Sequence, residues 1–326
     1  MIHRVAHILI WASLCFGTAV LTIPAWAQPA TPAPAEAPLD ASFAVEFNGH
    51  WIQQPIMAVT AMPGEAVPLS MESRTTAAPE VCIEAPADTL TWQSEAPWPF
   101  VAPEEPGLYP LRIRHMATGQ TIQLQVFVLT PWDHDGRSLD GYRVGRYQQE
   151  PRRGLEAYEP PEGFIRVTED IVTAPVAPHF TLQQFLSKQT NATPEFILLQ
   201  TPLLQLLEEV LAAVRNEGHN VETLHVMSAY RTPFYNASIG NTTVYSRHLY
   251  GDAADIFVDA NGNGRMDDLT GDGRVTRADA VHLAEIVASV KENGSGDYTG
   301  GIGIYGPAPH RGPFVHVDVR GYRARW

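Results

Sequence analysis

Three residues in the last third of the chain have the side chains and the spacing to bind one metal ion. His248 lies seven residues before Asp255, with Gly251 between them, and His316 follows near the C-terminus. Gly251 lets the chain turn, so that the histidine and the aspartate can face the same cleft. Zinc binds imidazole nitrogen and carboxylate oxygen readily, and a catalytic zinc keeps its fourth position open for water. The set therefore predicts a zinc site formed by two histidines and one aspartate.

Short strands are predicted to hold these ligands. Residues 254–258 alternate so that the side chain of Asp255 faces a cleft. Residues 314–319 form the last predicted strand and place His316 and Asp318 on one face. We therefore expect the ligands on neighbouring strands of one small sheet.

Helices complete this part of the chain. Thr201 is predicted as the hydroxyl N-cap of a helix that has Pro202 at its first position and Gly218 as its left-handed cap. A longer helix is predicted over 276–293. The mixture of helices and strands predicts an α+β domain over 179–326.

The residues around the first two ligands form a motif that resembles a known peptidase family. The motif reads Ser246-x-His248-x-x-Gly251-x-Ala253-x-Asp255, and it lies between Ser228-Ala-Tyr-Arg231 and His316-Val-Asp318. This combination resembles the M15 family of zinc D,D-peptidases over about residues 175–326. That family includes D-alanyl-D-alanine carboxypeptidases and dipeptidases, murein endopeptidases and the related hedgehog signalling fold. The resemblance implies a zinc peptidase domain with a hedgehog-like fold.

The resemblance also implies a role for each matched residue. The zinc ligands of the family match, in chain order, His248, Asp255 and His316. Arg231 matches an arginine that holds the substrate or stabilises the developing oxyanion, and a guanidinium suits either task. Ser246 and Tyr230 are the further candidates for substrate contact.

One position departs from the family. Several M15 enzymes have a glutamate general base three residues before the last histidine ligand, and Pro313 occupies that position here. His310, on a Gly/Pro loop, and Asp318, on the ligand face of the strand, are the candidates for the base. Asp318 is alternatively a partner that orients a ligand. If neither residue reaches the metal, the site binds metal without hydrolysing a substrate.

An acidic, glycine-rich insertion over 259–279 separates the second and third ligands. Counted from Asp268, it has the oxygen ligands, the glycine and the closing aspartate of an EF-hand calcium loop, as in dockerins. A weaker, overlapping loop starts at Asp259, and Val275 is expected to anchor the insertion. The alternatives are a solvated acidic turn and, for Asp279, a carboxylate that caps the following helix. The candidate calcium ligands are Asp259, Asn261, Asn263, Asp268, Thr270, Asp272, Arg274 through its carbonyl, and Asp279.

The N-terminus has the features of an exported protein. Arg4 precedes an apolar run over 8–23, and Ala25-Trp-Ala27 is a small-x-small cleavage site. We expect cleavage after Ala27, a Pro/Ala linker over 28–40, no stable membrane anchor, and a periplasmic or secreted location. Cys82 is the one cysteine that remains after cleavage, so no internal disulfide is predicted.

Residues 41–132 are predicted to be all-β. Apolar residues at every second position from Ile122 to Val128 have the period of a half-buried strand. The turn that ends at Tyr109 resembles part of an immunoglobulin-like sandwich. We therefore expect such a sandwich, acting as a spacer or binding module, and a connecting segment over 133–178 that joins it to the peptidase domain.

Charge and length limit the function. The 326 residues are enough for two domains, and the formal net charge of −14 would repel phosphate backbones, so nucleic acid is not an expected partner. The leading hypothesis is a zinc peptidase that cleaves D-alanine-containing bonds in peptidoglycan stem peptides, as a D,D-carboxypeptidase or a murein endopeptidase. The alternatives are a non-catalytic module that binds the cell wall or an envelope protein, and a peptidase of ordinary secreted proteins.

Overall fold

The computed structural model describes residues 41–73, 80–85, 88–92, 97–133, 136–190 and 192–326. The predicted signal peptide and the Pro/Ala linker lie outside the described residues. The described residues all belong to one packed unit. None of its helices has the length and apolar character needed to span a membrane, as far as the described residues extend.

The first part of the described chain consists of strands, as the sequence predicts. One sheet has the antiparallel order β2-β1-β4-β7, and the other has the order β3-β9-β8-β5-β6, in which β3 and β9 are parallel. Phe43 of the first sheet packs against His115 of the second, with ring centroids 5.5 Å apart. The likeness to an immunoglobulin sandwich stays a prediction. The strands are β1 (Phe43–Phe47), β2 (His50–Ile52), β3 (Ile56–Ala61), β4 (Ala66–Ser73), β5 (Val81–Ala85), β6 (Asp88–Trp92), β7 (Trp98–Val101), β8 (Gly107–His115) and β9 (Thr121–Val128).

The connecting segment contains short strands and single turns of 3-10 helix. Between residues 130 and 197 the strands are β10 (Thr130–Pro131), β11 (Ser138–Leu139), β12 (Tyr142–Arg143), β13 (Gly163–Val167), β14 (Pro175–Ala177), β15 (Phe180–Thr181) and β16 (Glu195–Ile197). The 3-10 turns are Arg152–Gly154, Glu156–Tyr158 and, after β15, Leu182–Phe185. A three-stranded sheet of order β10-β13-β16 runs from the end of the β part to the start of the helical part.

The C-terminal part has one five-stranded sheet with helices packed on it. Its elements are α1 (Thr201–Asn216), β17 (His225–Ser228), α2 (Pro233–Ser238), the 3-10 turn Arg247–Tyr250, β18 (Ala253–Phe257), α3 (Arg277–Asn293), β19 (Gly301–Tyr305), β20 (Phe314–Asp318) and β21 (Ala324–Arg325). The sheet order is β17-β18-β20-β19-β21. The two predicted helices are present as α1 and α3, and the predicted strands over 254–258 and 314–319 are present as β18 and β20, whereas α2, β19 and β21 are additional to the prediction.

The start of α1 differs from the prediction. Gln200 is the N-cap, and Thr201 already lies inside the helix. The Thr201 hydroxyl donates a hydrogen bond to the carbonyl of Ala58 in β3, at 2.9 Å. Gln205, one turn later, donates to the carbonyl of Trp51 at 2.8 Å. These two side chains therefore attach α1 to the β part instead of capping the helix.

Gly251 fixes the turn between the 3-10 helix that carries His248 and the strand that carries Asp255. Its backbone is left-handed, with φ +71°, and a Cβ atom there would lie 2.5 Å from the carbonyl carbon of Leu198. Any other residue at position 251 would therefore have an unfavourable backbone conformation and would clash with Leu198. Gly218, at the end of α1, is also left-handed, with φ +96°, but a Cβ atom there meets nothing within 4 Å.

We expect Gly251→Ala to be far more destabilising than Gly218→Ala. A left-handed non-glycine residue costs about 1–3 kcal/mol, and forced overpacking adds roughly 1–3 kcal/mol more. Denaturant unfolding of both variants should give the larger loss of unfolding free energy for Gly251→Ala, by at least about 1 kcal/mol. Equal losses in the two variants would contradict the steric role assigned to Gly251.

Candidate metal centre

The register of the C-terminal sheet places the predicted ligands side by side. Asp255 of β18 lies directly opposite His316 of β20. On the other edge of β18, Asp255 is paired with Ser228 of β17, and on the other edge of β20, His316 is paired with Gly303 of β19. The aspartate and the second histidine are thus fixed by the central ladder of the sheet.

The third member of the set is His248, which comes from the 3-10 turn before β18. Its Nε2 atom lies 3.3 Å from Asp255 Oδ1, and His316 Nδ1 lies 2.9 Å from the same oxygen. One ligand atom from each residue lies within 4.8 Å of the others, and all three side chains are buried. The structure therefore brings the three predicted ligands together at one point.

Each of the three ligand side chains forms a hydrogen bond through the polar atom that points away from the position they share. His248 Nδ1 donates to the carbonyl of Ala229 at 2.6 Å, and His316 Nε2 donates to Asp318 Oδ2 at 3.1 Å. The Arg231 guanidinium donates from Nη2 to Asp255 Oδ2 at 2.8 Å. These bonds leave His248 Nε2, His316 Nδ1 and Asp255 Oδ1 to share one cation. This donor set, with its outer atoms already paired, fits a zinc ion.

Asp318 is fully buried behind His316, on the side away from the shared point. Its Oδ1 atom accepts hydrogen bonds from the backbone N–H of Gly301 at 2.9 Å and from Arg320 Nε at 2.7 Å, and Arg320 Nη2 donates to its Oδ2 atom. All of its accepting capacity is therefore used. Of the two roles considered for Asp318, this arrangement supports orientation of a ligand, not proton transfer at the metal.

Arg231 lies beside the ligands, whereas Tyr230 does not. Besides its bond to Asp255, Arg231 donates from Nε to Ser228 Oγ at 2.9 Å. Tyr230 is buried in the core, and its hydroxyl is 3.0 Å from that of Tyr147. Consecutive residues after the end of β17 point in opposite directions, so only one of the pair faces the ligands. The prediction that Tyr230 contacts substrate is therefore not supported by its position.

A cavity of about 460 Å³ lies over the ligands, and the predicted residue Ser246 lines it. Trp326 and Tyr305 also line it, and sequence reasoning missed both. The Trp326 ring lies 5.2 Å from the His316 ring, and its Nε1 donates to the Tyr305 hydroxyl at 2.6 Å. A Cβ atom at Gly303 would lie 2.5 Å from Trp326 Nε1. A glycine inside a strand often marks the close approach of another group, so Gly303 is the feature of the sequence that could have indicated a neighbour here.

His310 belongs to a neighbouring cavity of about 510 Å³, which it lines together with Arg231, Ser228 and Pro313. It is exposed and is not among the residues that line the metal cavity. Arg231 lines both cavities. The role of His310 as a general base stays a prediction.

The insertion between the second and third ligands is held by its own carboxylates. Asp259 and Asp268 each accept hydrogen bonds from the backbone N–H groups four and five residues later, at 2.6–3.3 Å. Val275 is 43% exposed, so the prediction that it anchors the insertion is wrong; Met266 and Leu269 are buried instead.

Asp279 performs the alternative role that the sequence allowed, as the capping carboxylate of α3. It is fully buried, and its Oδ2 accepts from the backbone N–H of Thr276 at 2.7 Å. Its Oδ1 accepts from the backbone N–H groups of Leu269 and Thr270, at 2.9 and 3.1 Å. These donors already satisfy Asp279, the residue that would close a calcium loop. Calcium binding by the insertion stays a prediction.

The carboxylates around His316 change its protonation. Burial alone would lower the pKa of His316, but its hydrogen bonds to Asp255 and Asp318 and their negative charges raise this pKa to about 9. Burial lowers the pKa of His248, and Asp255 opposes this effect only in part. Burial would raise the pKa of Asp255, but the two histidines hold this pKa well below its usual range. In the metal-free protein, a proton therefore occupies His316 at neutral pH.

We expect zinc binding to displace this proton. The pKa of His316 is higher in the folded protein than in the unfolded chain, so protonation of His316 stabilises the metal-free fold. This contribution to the free energy of unfolding is complete below pH 6.5 and is lost as the pH rises to about 9. The apparent zinc affinity should therefore rise about tenfold per pH unit from about pH 7 towards 9. Calorimetry in buffers of different ionisation enthalpy should show about one proton released per zinc at pH 7.5; no release would contradict the assignment.

We expect Asp318→Asn to weaken zinc binding without unfolding the protein. The amide cannot hold His316 Nε2 and Arg320 as the carboxylate does, and loss of such a supporting group costs roughly 10- to 100-fold in metal affinity. Glu292→Gln is the matched control, since Glu292 is exposed and forms only a 3.6 Å surface pair with Arg323. Competition with a chromogenic chelator would measure both affinities, and equal values would refute the positioning role of Asp318.

Comparison with known proteins identifies one family over part of this domain. Residues 178–284 match the family model described as Peptidase M15, and this stretch contains Arg231, His248 and Asp255. No curated protein and no solved structure gave a match. The resemblance seen in the sequence motif is therefore confirmed over residues 178–284, which are similar to the peptidase M15 family.

Proposed function

We propose that this protein is an exported zinc peptidase that hydrolyses D-alanine-containing bonds in peptidoglycan stem peptides. The observation that carries the proposal is the buried set of His248, Asp255 and His316, whose free atoms converge beneath an open cavity. The match of residues 178–284 to the M15 family model supports a peptidase, and the donor set supports zinc. The substrate class follows from the family and is part of the proposal, as are the periplasmic or secreted location and calcium binding by the insertion.

The residues of the cavity would each perform a defined task. Zinc, when bound by the three ligands, supplies a Lewis acid that polarises a peptide carbonyl and lowers the pKa of water. Ala229 and Asp318 hold the two imidazoles in the tautomers that leave one nitrogen free. Arg231 keeps the second oxygen of Asp255 occupied, and its remaining Nη1 group is available to an oxyanion at the cavity wall.

The general base is the least defined part of the proposed reaction. Asp255 is the only carboxylate that lines the metal cavity among the described residues, and it serves as a ligand. Asp318 is fully used by His316, Arg320 and Gly301. His310 therefore remains the proposed base, approaching from its own cavity past Arg231.

The absent family glutamate favours a second candidate function. With Pro313 in place of the glutamate, the same site can hold zinc in a module that binds peptidoglycan without cleaving it. Such a module would need the cavity and the ligands but no proton acceptor. The two functions differ in whether the bound muropeptide is changed.

We expect the mature protein, supplied with zinc, to release D-alanine from muropeptides or to split their cross-linked dimers. Asp255→Ala removes a ligand and should abolish the reaction, whereas Asp297→Ala, an exposed aspartate away from the ligands, should leave it unchanged. Mass spectrometry of the digests identifies the bond that is cleaved. Unchanged muropeptides that nevertheless co-sediment with zinc-loaded protein would select the binding module and refute the peptidase.

A further inference from the structure

Arginines cluster around the metal cavity although the chain as a whole is acidic. The chain has 22 basic and 36 acidic residues, yet Asp255 is the only acidic residue lining either the metal cavity or the adjoining cavity of about 320 Å³. Asn241 and Thr243 line both cavities. Such a local excess of positive charge attracts an anionic ligand. The arginines are Arg152, Arg231, Arg247 and Arg320 in the metal cavity, and Arg137, Arg143 and Arg146 in the adjoining one.

Three of the four arginines in the metal cavity are committed to internal carboxylates. Arg231 is paired with Asp255 at 2.8 Å. Arg247 donates from Nε to Asp252 at 3.0 Å, and Arg320 donates from Nε to Asp318 at 2.7 Å. These three guanidinium groups are therefore neutralised within the protein and are held in place by their partners.

Arg152 is the exception among the four. It is exposed, and no acidic side chain of the described chain lies within ion-pair distance of it. Its positive charge is thus the one in the metal cavity that an internal carboxylate does not offset. A guanidinium in this state can bind an incoming carboxylate through two parallel hydrogen bonds.

The backbone on both sides of Arg152 is fixed to the walls of the metal cavity. The Tyr245 hydroxyl donates to the carbonyl of Glu150 at 2.9 Å. On the other side, Arg247 Nη1 donates to the carbonyl of Ala157 at 2.7 Å. Tyr245 and Arg247 themselves line the metal cavity, so the segment is positioned while the Arg152 side chain remains open to a ligand.

We propose that Arg152 determines substrate specificity by binding a free carboxylate of the stem peptide that contains the cleaved bond. The proposal deepens the proposed function and rests on it. The carboxylate can be the C-terminus of the stem peptide or the α-carboxylate of its γ-linked glutamyl residue, since the guanidinium recognises the same group in both. Arg152 lies outside residues 178–284, so this contact is supplied by the connecting segment and not by the matched part of the domain.

The test compares one pentapeptide, L-Ala-γ-D-Glu-L-Lys-D-Ala-D-Ala, in three forms. One form has both carboxylates free, one has a C-terminal amide, and one has the glutamyl α-amide. Zinc-loaded wild type, Arg152→Ala, Arg152→Lys and Arg153→Ala are compared with each peptide. Arg153 is the matched control, because it is adjacent and exposed but does not line the metal cavity. KM is measured where the peptide is hydrolysed, and Kd by calorimetry where it is not.

We expect wild type to prefer the free acid over one amidated form by roughly 10- to 100-fold in KM or Kd, the range for one charge-assisted contact. Arg152→Ala should lose this preference with kcat changed little, Arg152→Lys should retain part of it, and Arg153→Ala should behave as wild type. The amidated form that wild type rejects identifies which carboxylate is bound. The inference is overturned if Arg152→Ala matches Arg153→Ala, or if wild type does not discriminate among the three forms. If the peptides bind to the protein but no D-alanine is released, the proposed peptidase function fails, and the role of Arg152 is then judged from the Kd values alone.

Discussion

The pairing of β18 with β20 is the constraint on which the rest of the site depends. It sets Asp255 opposite His316 and, two residues along, Ala253 opposite Asp318. A shift of this register by one residue would turn the ligands to the other face of the sheet. The small residues of the neighbouring strand, Gly301 and Gly303, leave room for the Asp318 carboxylate and for the Trp326 ring. Two of the three residues of the candidate metal centre are therefore positioned by the sheet, and His248 comes from a turn.

Basic and acidic side chains alternate around the pairing of β18 with β20. The buried Asp318 lies between His316 and Arg320, and the buried Asp255 lies between the two histidines and Arg231. Buried carboxylates are tolerated because each is paired and hydrogen-bonded. The same pairing decides which nitrogen of each imidazole is free, so stability and ligand geometry depend on the same bonds.

The sequence predicted the parts of this site that depend on local spacing. The interval between His248 and Asp255 and the strand alternation around His316 indicated the candidate ligands, and the motif around them indicated the family whose model matches residues 178–284. Contacts between distant segments were not predictable in this way. Trp326 reaches the site because β21 pairs with β19, and Thr201 leaves its capping position because a carbonyl of β3 accepts its hydroxyl. A local pattern does not identify such a partner: glycine at position 303 indicates a close neighbour, but not that this neighbour is Trp326.

The contacts made by Arg247 connect the segment that carries Arg152 to the neighbourhood of His248. This residue precedes His248 in the chain, is paired with the buried Asp252, and donates to the carbonyl of Ala157 in the segment that carries Arg152. A displacement of that segment is therefore transmitted to the residue next to His248 through this hydrogen bond and through the Tyr158 ring, whose centroid lies 4.3 Å from the Arg247 guanidinium carbon. A substrate that orders the segment would also restrict the motion of His248, so tight recognition and a rigid metal centre would arise in the same event. Chains with another connecting segment could change the first property while they keep the second.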